Sequence, residues 1–207
     1  MTFGEYVAAR VPGVTPAQFC VARLFDREAI DYAGLLGGAW SPPPDAAAWR
    51  TVQVTAGRRS GKSLLAALHA CWSCETVERR SIVGTERFAY AVVSPDKAQS
   101  RQILDFCEAF GAERKSADLA VHNGVEIRVY AAKRGGAARG FSLVGATLDE
   151  AAFHMTLDGV LNLRDVHRSV TKALVAGATC FMISSPWGKI GYFYDLHEKN
   201  FGQPRTA

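Results

Sequence analysis

The sequence has no run of about 18 consecutive apolar residues, the length a bilayer-spanning helix needs, and its N-terminus lacks the basic-then-apolar order of a secretory leader. Membrane insertion and export are therefore not expected, and the expected location is the cytoplasm. Cysteine is also sparse. The five residues Cys20, Cys71, Cys74, Cys107 and Cys180 form an odd, scattered set, which excludes the paired framework of a small secreted domain and predicts reduced thiols. Cys71 and Cys74 have CxxC spacing, but no second ligand pair accompanies them and they fall within a helical stretch, so they read as buried helix residues rather than zinc ligands. His154, His167 and His197 lack ligand spacing and read as core or surface histidines, and no structural metal is expected. No internal repeat is present. Charge of one sign is only mildly in excess: a formal charge of +4 and a pI near 8.9 permit a polyanionic partner without demanding one.

What is present is a chain of 207 residues, 48% hydrophobic, enough for one sizeable core. Residues 1–40 read as one or two helices, with Phe19, Val21, Ala22, Leu24 and Phe25 recurring amid charge. The breakers Gly37-Gly38 and Pro42-Pro43-Pro44 mark a boundary, with a second unit over 41–207. Beyond it, β-rich and helical runs alternate. Strands are predicted over 51–55 and 88–93, and helices over 62–78 and 96–110. A strand pair is predicted over 119–121 and 126–130 around the turn dipeptide Asn123-Gly124. Two apolar strands, 143–148 and 179–183, have the composition of strands buried on both faces of a mostly parallel sheet. The predicted class is α/β, with a mostly parallel central sheet flanked by helices. The basic pairs Arg79-Arg80, Arg114-Lys115 and Lys133-Arg134 read as solvated surface, whereas Arg58-Arg59 falls in a motif.

That motif is Ala56-Gly57-Arg58-Arg59-Ser60-Gly61-Lys62-Ser63, which follows a predicted strand and opens a predicted helix. Backbone amides in such a loop point at phosphate oxygens, and the helix N-terminus adds partial positive charge. Gly61 permits close backbone approach, Lys62 is placed to reach the β- and γ-phosphates, and the Ser63 hydroxyl suits magnesium, a cation that takes oxygen ligands. The loop is a variant, because Ala56 stands at the usual first glycine and Gly57 comes one place late.

Far downstream, Leu143-Val144-Gly145-Ala146-Thr147-Leu148-Asp149-Glu150 is an apolar run ending in two adjacent carboxylates. Both would stand at the carboxyl edge of a strand, where ligands bind in open α/β sheets. Two acids there need separate work: Asp149 to hold magnesium, and Glu150 to polarise the attacking water as general base. Taken alone, an Asp-Glu pair at a strand end also reads as helix-start acids; after a phosphate loop it reads as the partner of that loop.

Together these residues resemble the large terminase subunits of tailed bacteriophages and their relatives. The loop from Gly57 to Ser63 is similar to the terminase form in carrying basic residues, and Leu148-Asp149-Glu150-Ala151-Ala152-Phe153 resembles the family's Walker B segment. Ile183-Ser184-Ser185-Pro186 resembles its coupling motif, which links the state of the γ-phosphate to DNA-gripping parts. The resemblance spans roughly residues 15 to 190. It implies a P-loop NTPase of the RecA-like (ASCE) type using ATP and Mg2+, with Gln18, in Pro16-Ala17-Gln18, reading the adenine edge. It further implies that Arg58 reaches the γ-phosphate from within the loop, beside Arg59 and Ser60. Arg139, in Arg134-Gly135-Gly136-Ala137-Ala138-Arg139-Gly140, is implied to be an arginine finger inserted by a neighbouring subunit; a planar, permanently charged guanidinium suits that role.

The implied partners are double-stranded DNA held through its backbone phosphates, a homo-oligomeric ring on the portal of a procapsid in an infected host cell, and a small terminase subunit. Family members carry a C-terminal nuclease domain, and this chain, ending at Ala207, is expected to lack it. Two other readings share some features. A helicase-like ATPase would have the same loop and acids but needs a second lobe, and a nucleotide-holding assembly module would not need Glu150 beside Asp149.

Overall fold

The computed structural model describes residues 1–26, 50–79, 84, 86–132, 140–154 and 163–200. The boundary expected near residue 40 and the arginine-finger position Arg139 lie outside the described residues. The first helix, α1 (Phe3–Arg10), starts on a capping box in which the Thr2 hydroxyl accepts from Glu5 N and the Glu5 carboxylate accepts from Thr2 N. Helix α2 (Pro16–Asp26) opens with proline, whose missing N–H costs nothing in the first turn. It ends with Asp26, whose carboxylate accepts from the amides of Phe3 and Gly4. The end of one helix thereby caps the start of the other.

Among the described residues seven strands follow: β1 (Thr51–Thr55), β2 (Phe88–Ser94), β3 (Glu113–Ser116), β4 (Leu119–His122), β5 (Val125–Ala131), β6 (Ser142–Leu148) and β7 (Cys180–Ser184). They form one sheet in the order β1-β7-β6-β2-β5-β4-β3, parallel from β1 to β5, with β4 and β3 antiparallel at one end. Asn123 and Gly124 form the two-residue connection between β4 and β5. Both have positive φ, 47° and 73°, the requirement of the tight hairpin turn whose twist matches the strands. The edge strand β3, Glu-Arg-Lys-Ser, is polar and mostly exposed, which discourages pairing with another chain.

Helices α3 (Lys62–Thr76) and α4 (Lys97–Ala109) join α1 and α2 on one face of the sheet, and α5 (Leu163–Ala173) and α6 (Gly191–Asn200) cover the other. Strands β2, β6 and β7 are therefore buried on both sides, as their near-continuous apolar runs require. Helix α3 is buried along most of its length, and its alanines let it lie close on the sheet. Cys71 and Cys74 are buried on it, and all five cysteines are free and buried. His69, fully buried in the same helix, packs among Phe3, Phe25, Tyr90 and Phe181. Its Nδ1 lies 2.7 Å from the Tyr90 hydroxyl, which lies 2.8 Å from the Thr147 hydroxyl. Burial pushes the His69 imidazole down to about 3, so the ring is neutral.

The sequence expectations for strands 51–55, 88–93, 119–121, 126–130, 143–148 and 179–183 and for helices 62–78 and 96–110 each coincide with an element to within two residues. Strand β3 and helices α5 and α6 had no counterpart among them. Among the described residues, no helix is long and apolar enough to cross a membrane.

Candidate phosphate and metal site

Strand β7 lies between β1 and β6, and this insertion builds the site. Thr55 at the end of β1 pairs with Ser184 at the end of β7, and the Ala56 amide continues the ladder to the Ser184 carbonyl at 3.1 Å. On its other side, β7 pairs Met182 with Leu148, so Ser184 stands level with the acid pair that follows β6. The loop after β1, the serines that end and follow β7, and the acids after β6 thus share the carboxyl edge of the sheet.

Within the loop, Arg59 and Gly61 adopt positive φ, 62° and 84°, and Gly61 is the N-cap of α3 with no side-chain cap. The first amides of α3 are therefore left without the side-chain acceptor that usually satisfies them, the arrangement that suits an anion. The Ser60 hydroxyl is buried with no hydrogen-bond partner. Lys62 Nζ folds back to donate to the carbonyls of Ala56 and Gly57, at 2.9 and 2.8 Å, and to Ser185 Oγ at 3.3 Å. Ser63 is half-buried in the first turn of α3, while Gly57, Arg58 and Arg59 are exposed.

Gln18 belongs to this loop although it lies in α2. Its side-chain amide donates to the Ser60 carbonyl at 3.1 Å, and its oxygen accepts from Thr15 N at 3.1 Å. A Cβ on Gly61 would stand 2.3 Å from Gln18 Nε2.

Asp149 is 5% exposed, and its amide donates to the Val93 carbonyl of β2 at 2.9 Å. Its Oδ2 accepts from the Ser100 hydroxyl at 2.5 Å and its Oδ1 from Glu150 N at 3.0 Å. Burial raises its carboxyl above the usual carboxylate range, opposed by the Ser100 bond; the Glu150 charge raises it further, and the Lys62 charge lowers it. His154 Nε2 lies 2.9 Å from the Asp149 carbonyl. Burial pushes this imidazole down to about 4, so the ring is neutral and Nε2 carries the proton it donates.

Glu150 turns away from the strand in a left-handed conformation, φ 48° and ψ 45°, which is costly for a residue with a side chain. The turn is held by Phe153 N on the Glu150 carbonyl at 2.9 Å and by Ala152 N on Ser184 Oγ at 3.1 Å. It brings Glu150 Oε2 to 3.5 Å from both Ser184 Oγ and Ser185 N. Ser185 therefore touches Lys62 through its hydroxyl and Glu150 through its amide. Pro186 follows, exposed, and Trp187, 60% exposed, packs on Phe153 with ring centroids 4.7 Å apart.

Of the residues expected from the sequence, Lys62, Asp149, Glu150, Ser184 and Ser185 converge at one end of the sheet, and Gln18, Ser60 and Gly61 meet at the loop. Arg58 and Arg59 lie on the exposed side of that loop. Sequence reasoning missed Ser100, His154 as a partner of Asp149, and the Phe153-Trp187 pair. Nothing in the spacing of Ser100 marks it, whereas its complete burial does. The donor set fits a magnesium-bound triphosphate: an orphaned hydroxyl and uncapped amides for phosphate, and a hydroxyl with a buried carboxylate for the metal. Among the described residues, no three His, Cys, Asp or Glu side chains converge as a metal cage.

No protein-family model and no curated protein matches the sequence. Among solved structures, the chain is similar to the large terminase from a thermophilic bacteriophage, with 14% identity and a TM-score of 0.53 over 75% of this chain and 39% of that one. Two structures of the large terminase ATPase domain of Thermus phage P74-26 also match, at 19% and 20% identity with TM-scores of 0.46 and 0.45. They cover 81% and 71% of this chain and 74% and 63% of those. The fold is α/β with a mostly parallel sheet flanked by helices, and the chain spans about two fifths, 39%, of the length of the thermophilic-phage terminase.

Proposed function

We propose that this chain is the ATP-hydrolysing motor domain of a viral terminase large subunit, which drives double-stranded DNA into a procapsid. The observation that carries the reading is Ser185, which lies 3.3 Å from the Lys62 ammonium and 3.5 Å from the Glu150 carboxylate. A phosphate-reading lysine and a candidate water-activating acid thus flank one segment, the one that resembles a coupling motif.

The reaction is in-line attack of water on the γ-phosphate of ATP. The ammonium of Lys62 exchanges its loop carbonyls for β- and γ-phosphate oxygens, and the α3 amides and the Ser60 hydroxyl take further phosphate oxygens. Ser63 and Asp149 hold Mg2+, which when bound offsets negative charge on the phosphate oxygens. Glu150 orients the attacking water and accepts its proton. Arg58 reaches the γ-phosphate from within the loop, and Gln18, fixed to Ser60, adjoins the base. Ser184 and Ser185 sense the γ-phosphate through Lys62 and Glu150, and Pro186 passes that state to the following segment.

Arg139 completes the site from a neighbouring subunit in a ring on the procapsid portal. The motor grips DNA through backbone phosphates, since packaging must accept any sequence, and works with a small terminase subunit in the infected host cytoplasm. The test is steady-state ATP turnover together with nucleotide binding for wild type and Glu150→Ala. Binding kept and turnover lost by at least about a hundredfold is the expected result. A wild-type protein that binds ATP and never turns it over, even at concentrations that assemble rings, rules the motor out in favour of a nucleotide-holding module.

A further inference from the structure

The buried hydroxyl of Ser100 takes no direct part in the chemistry proposed above, yet it makes the shortest contact of the Asp149 side chain, 2.5 Å to Oδ2. Ser100 has 0% exposure, so no water competes for that bond. The other carboxylate oxygen accepts from Glu150 N at 3.0 Å, and the backbone carbonyl of the same residue is held by His154 at 2.9 Å. A carboxylate at a strand end is free to rotate about two side-chain bonds; here each oxygen has its own donor, one from the helix Lys97–Ala109 and one from the next backbone amide.

The helix that carries Ser100 is itself anchored. Asp96 caps α4 by accepting from Ala98 N at 2.9 Å, and the Ser94 hydroxyl donates to the Asp96 carbonyl at 2.7 Å. One turn on, Lys97 Nζ and Arg101 Nε both bind the Asp118 carboxylate, at 2.8 and 2.9 Å, tying α4 to the residue just before β4. Ser100 sits between these two half-exposed cations in sequence and is itself fully buried. The helix is thus held at two points, through Lys97 and Arg101 to Asp118 and through Ser100 to Asp149.

We propose that Ser100 is a positioning residue for the metal site, holding the Asp149 carboxylate in the orientation in which it meets a divalent cation beside the phosphate loop. The inference rests on the nucleotide-binding reading of that loop. Partners of metal-binding carboxylates of this kind fix the rotamer of the ligand, and their loss weakens metal affinity while leaving the ligand itself in place.

The experiment measures binding of a fluorescent ATP analogue, first in EDTA and then across a Mg2+ titration, for wild type, Ser100→Ala and Ser100→Thr. In Ser100→Ala, metal-free binding stays within about twofold of wild type, and the Mg2+ concentration for half-maximal enhancement rises by roughly tenfold. Ser100→Thr, which keeps the hydroxyl, returns that concentration toward wild type. A Mg2+ requirement unchanged in Ser100→Ala overturns the proposal. So does a parallel loss of metal-free and Mg2+-dependent binding, because that is what a purely structural serine would give. A wild-type chain that binds no nucleotide in either condition removes instead the reading on which the inference rests.

Discussion

Ser184 Oγ lies 3.5 Å from Glu150 Oε2 while accepting the Ala152 amide at 3.1 Å, so one hydroxyl on β7 serves both ends of the acid turn. Ser184 is fully buried, so water cannot stand in for it in either role. In Ser184→Ala, the Ala152 amide is left unsatisfied at a cost of about 1–3 kcal/mol, and Glu150 loses a neighbour that limits its swing. The expected outcome is a lower urea midpoint together with a fall in kcat larger than any change in KM. Equal stability and equal kcat would show that β7 carries the turn by its backbone alone.

The left-handed backbone at Glu150 separates strain from chemistry. Glycine adopts that conformation freely, whereas alanine bears the same penalty as glutamate, roughly 1–2 kcal/mol. Glu150→Gly and Glu150→Ala should both abolish turnover, but the glycine variant should be the more stable of the two in chemical denaturation. The reverse ranking would mean that the turn relaxes to ordinary backbone once the carboxylate is gone.

Gly61 is constrained twice. Its φ of 84° disfavours any Cβ, and a Cβ would stand 2.3 Å from Gln18 Nε2. Gly61→Ala should therefore weaken nucleotide binding severely. Adding Gln18→Ala should restore it only in part, since the side-chain clash is removed while the backbone penalty of about 1–2 kcal/mol persists. Full recovery in the double variant would assign the whole defect to the clash. Binding assays on the two single variants and the double variant decide this.

If Arg139 acts across a subunit boundary, Arg139→Ala and Glu150→Ala proteins should each be inactive alone, and a mixture should regain turnover. Some interfaces in mixed rings then combine an intact Arg139 with an intact Glu150. A mixture no more active than its components, at concentrations where wild-type turnover rises with assembly, argues for a finger acting within its own chain or for none.

His69 should contribute to acid sensitivity. The unfolded chain protonates this imidazole near its ordinary value of 6.5, but the buried ring resists until about 3. Between those values the unfolded state holds the extra proton, so stability is full above the upper value and declines as pH falls, by at most about 1.4 kcal/mol per pH unit. Comparing urea unfolding at pH 7 and pH 5, the loss should be smaller in His69→Gln, which keeps a hydrogen-bonding group near Tyr90 and cannot titrate. An undiminished loss would assign the acid sensitivity to other groups.

Much of the site was legible because its residues sit at element ends, where local chemistry leaves marks. The Gly61-Lys62-Ser63 triplet after a strand is marked locally, whereas Asp149-Glu150 at the end of another strand, which alone also reads as helix-start acids, takes its meaning from the loop that precedes it. Their meeting point was not legible in the same way. It depends on β7 pairing with β1 on one side and β6 on the other, and on contacts as remote in sequence as Lys62 with Ser185, 123 positions apart. Strand β3 escaped notice because Glu113-Arg114-Lys115-Ser116 has no apolar alternation; its strand state comes from its neighbour β4. Helix α5 did carry a signal, with Leu163, Val166 and Val170 at helical spacing and all buried, which dense charge between them obscured. Ser100 and His154 were hidden for another reason: their importance lies in burial and in a single partner, neither of which residue type reveals.

The insertion of β7 also governs when this protein can work during its own synthesis. Among the described residues, β1 has β7 as its only strand neighbour, and β7 is the last strand to be made. A nascent polypeptide that has emerged through α3 holds the whole lysine-bearing segment but no ladder to seat it. Loop closure over so long a stretch is slow compared with local helix formation. On the proposed reading, affinity for a triphosphate is therefore a late property, acquired once the ribosome has passed β7, and it marks an assembled sheet rather than a folding scaffold.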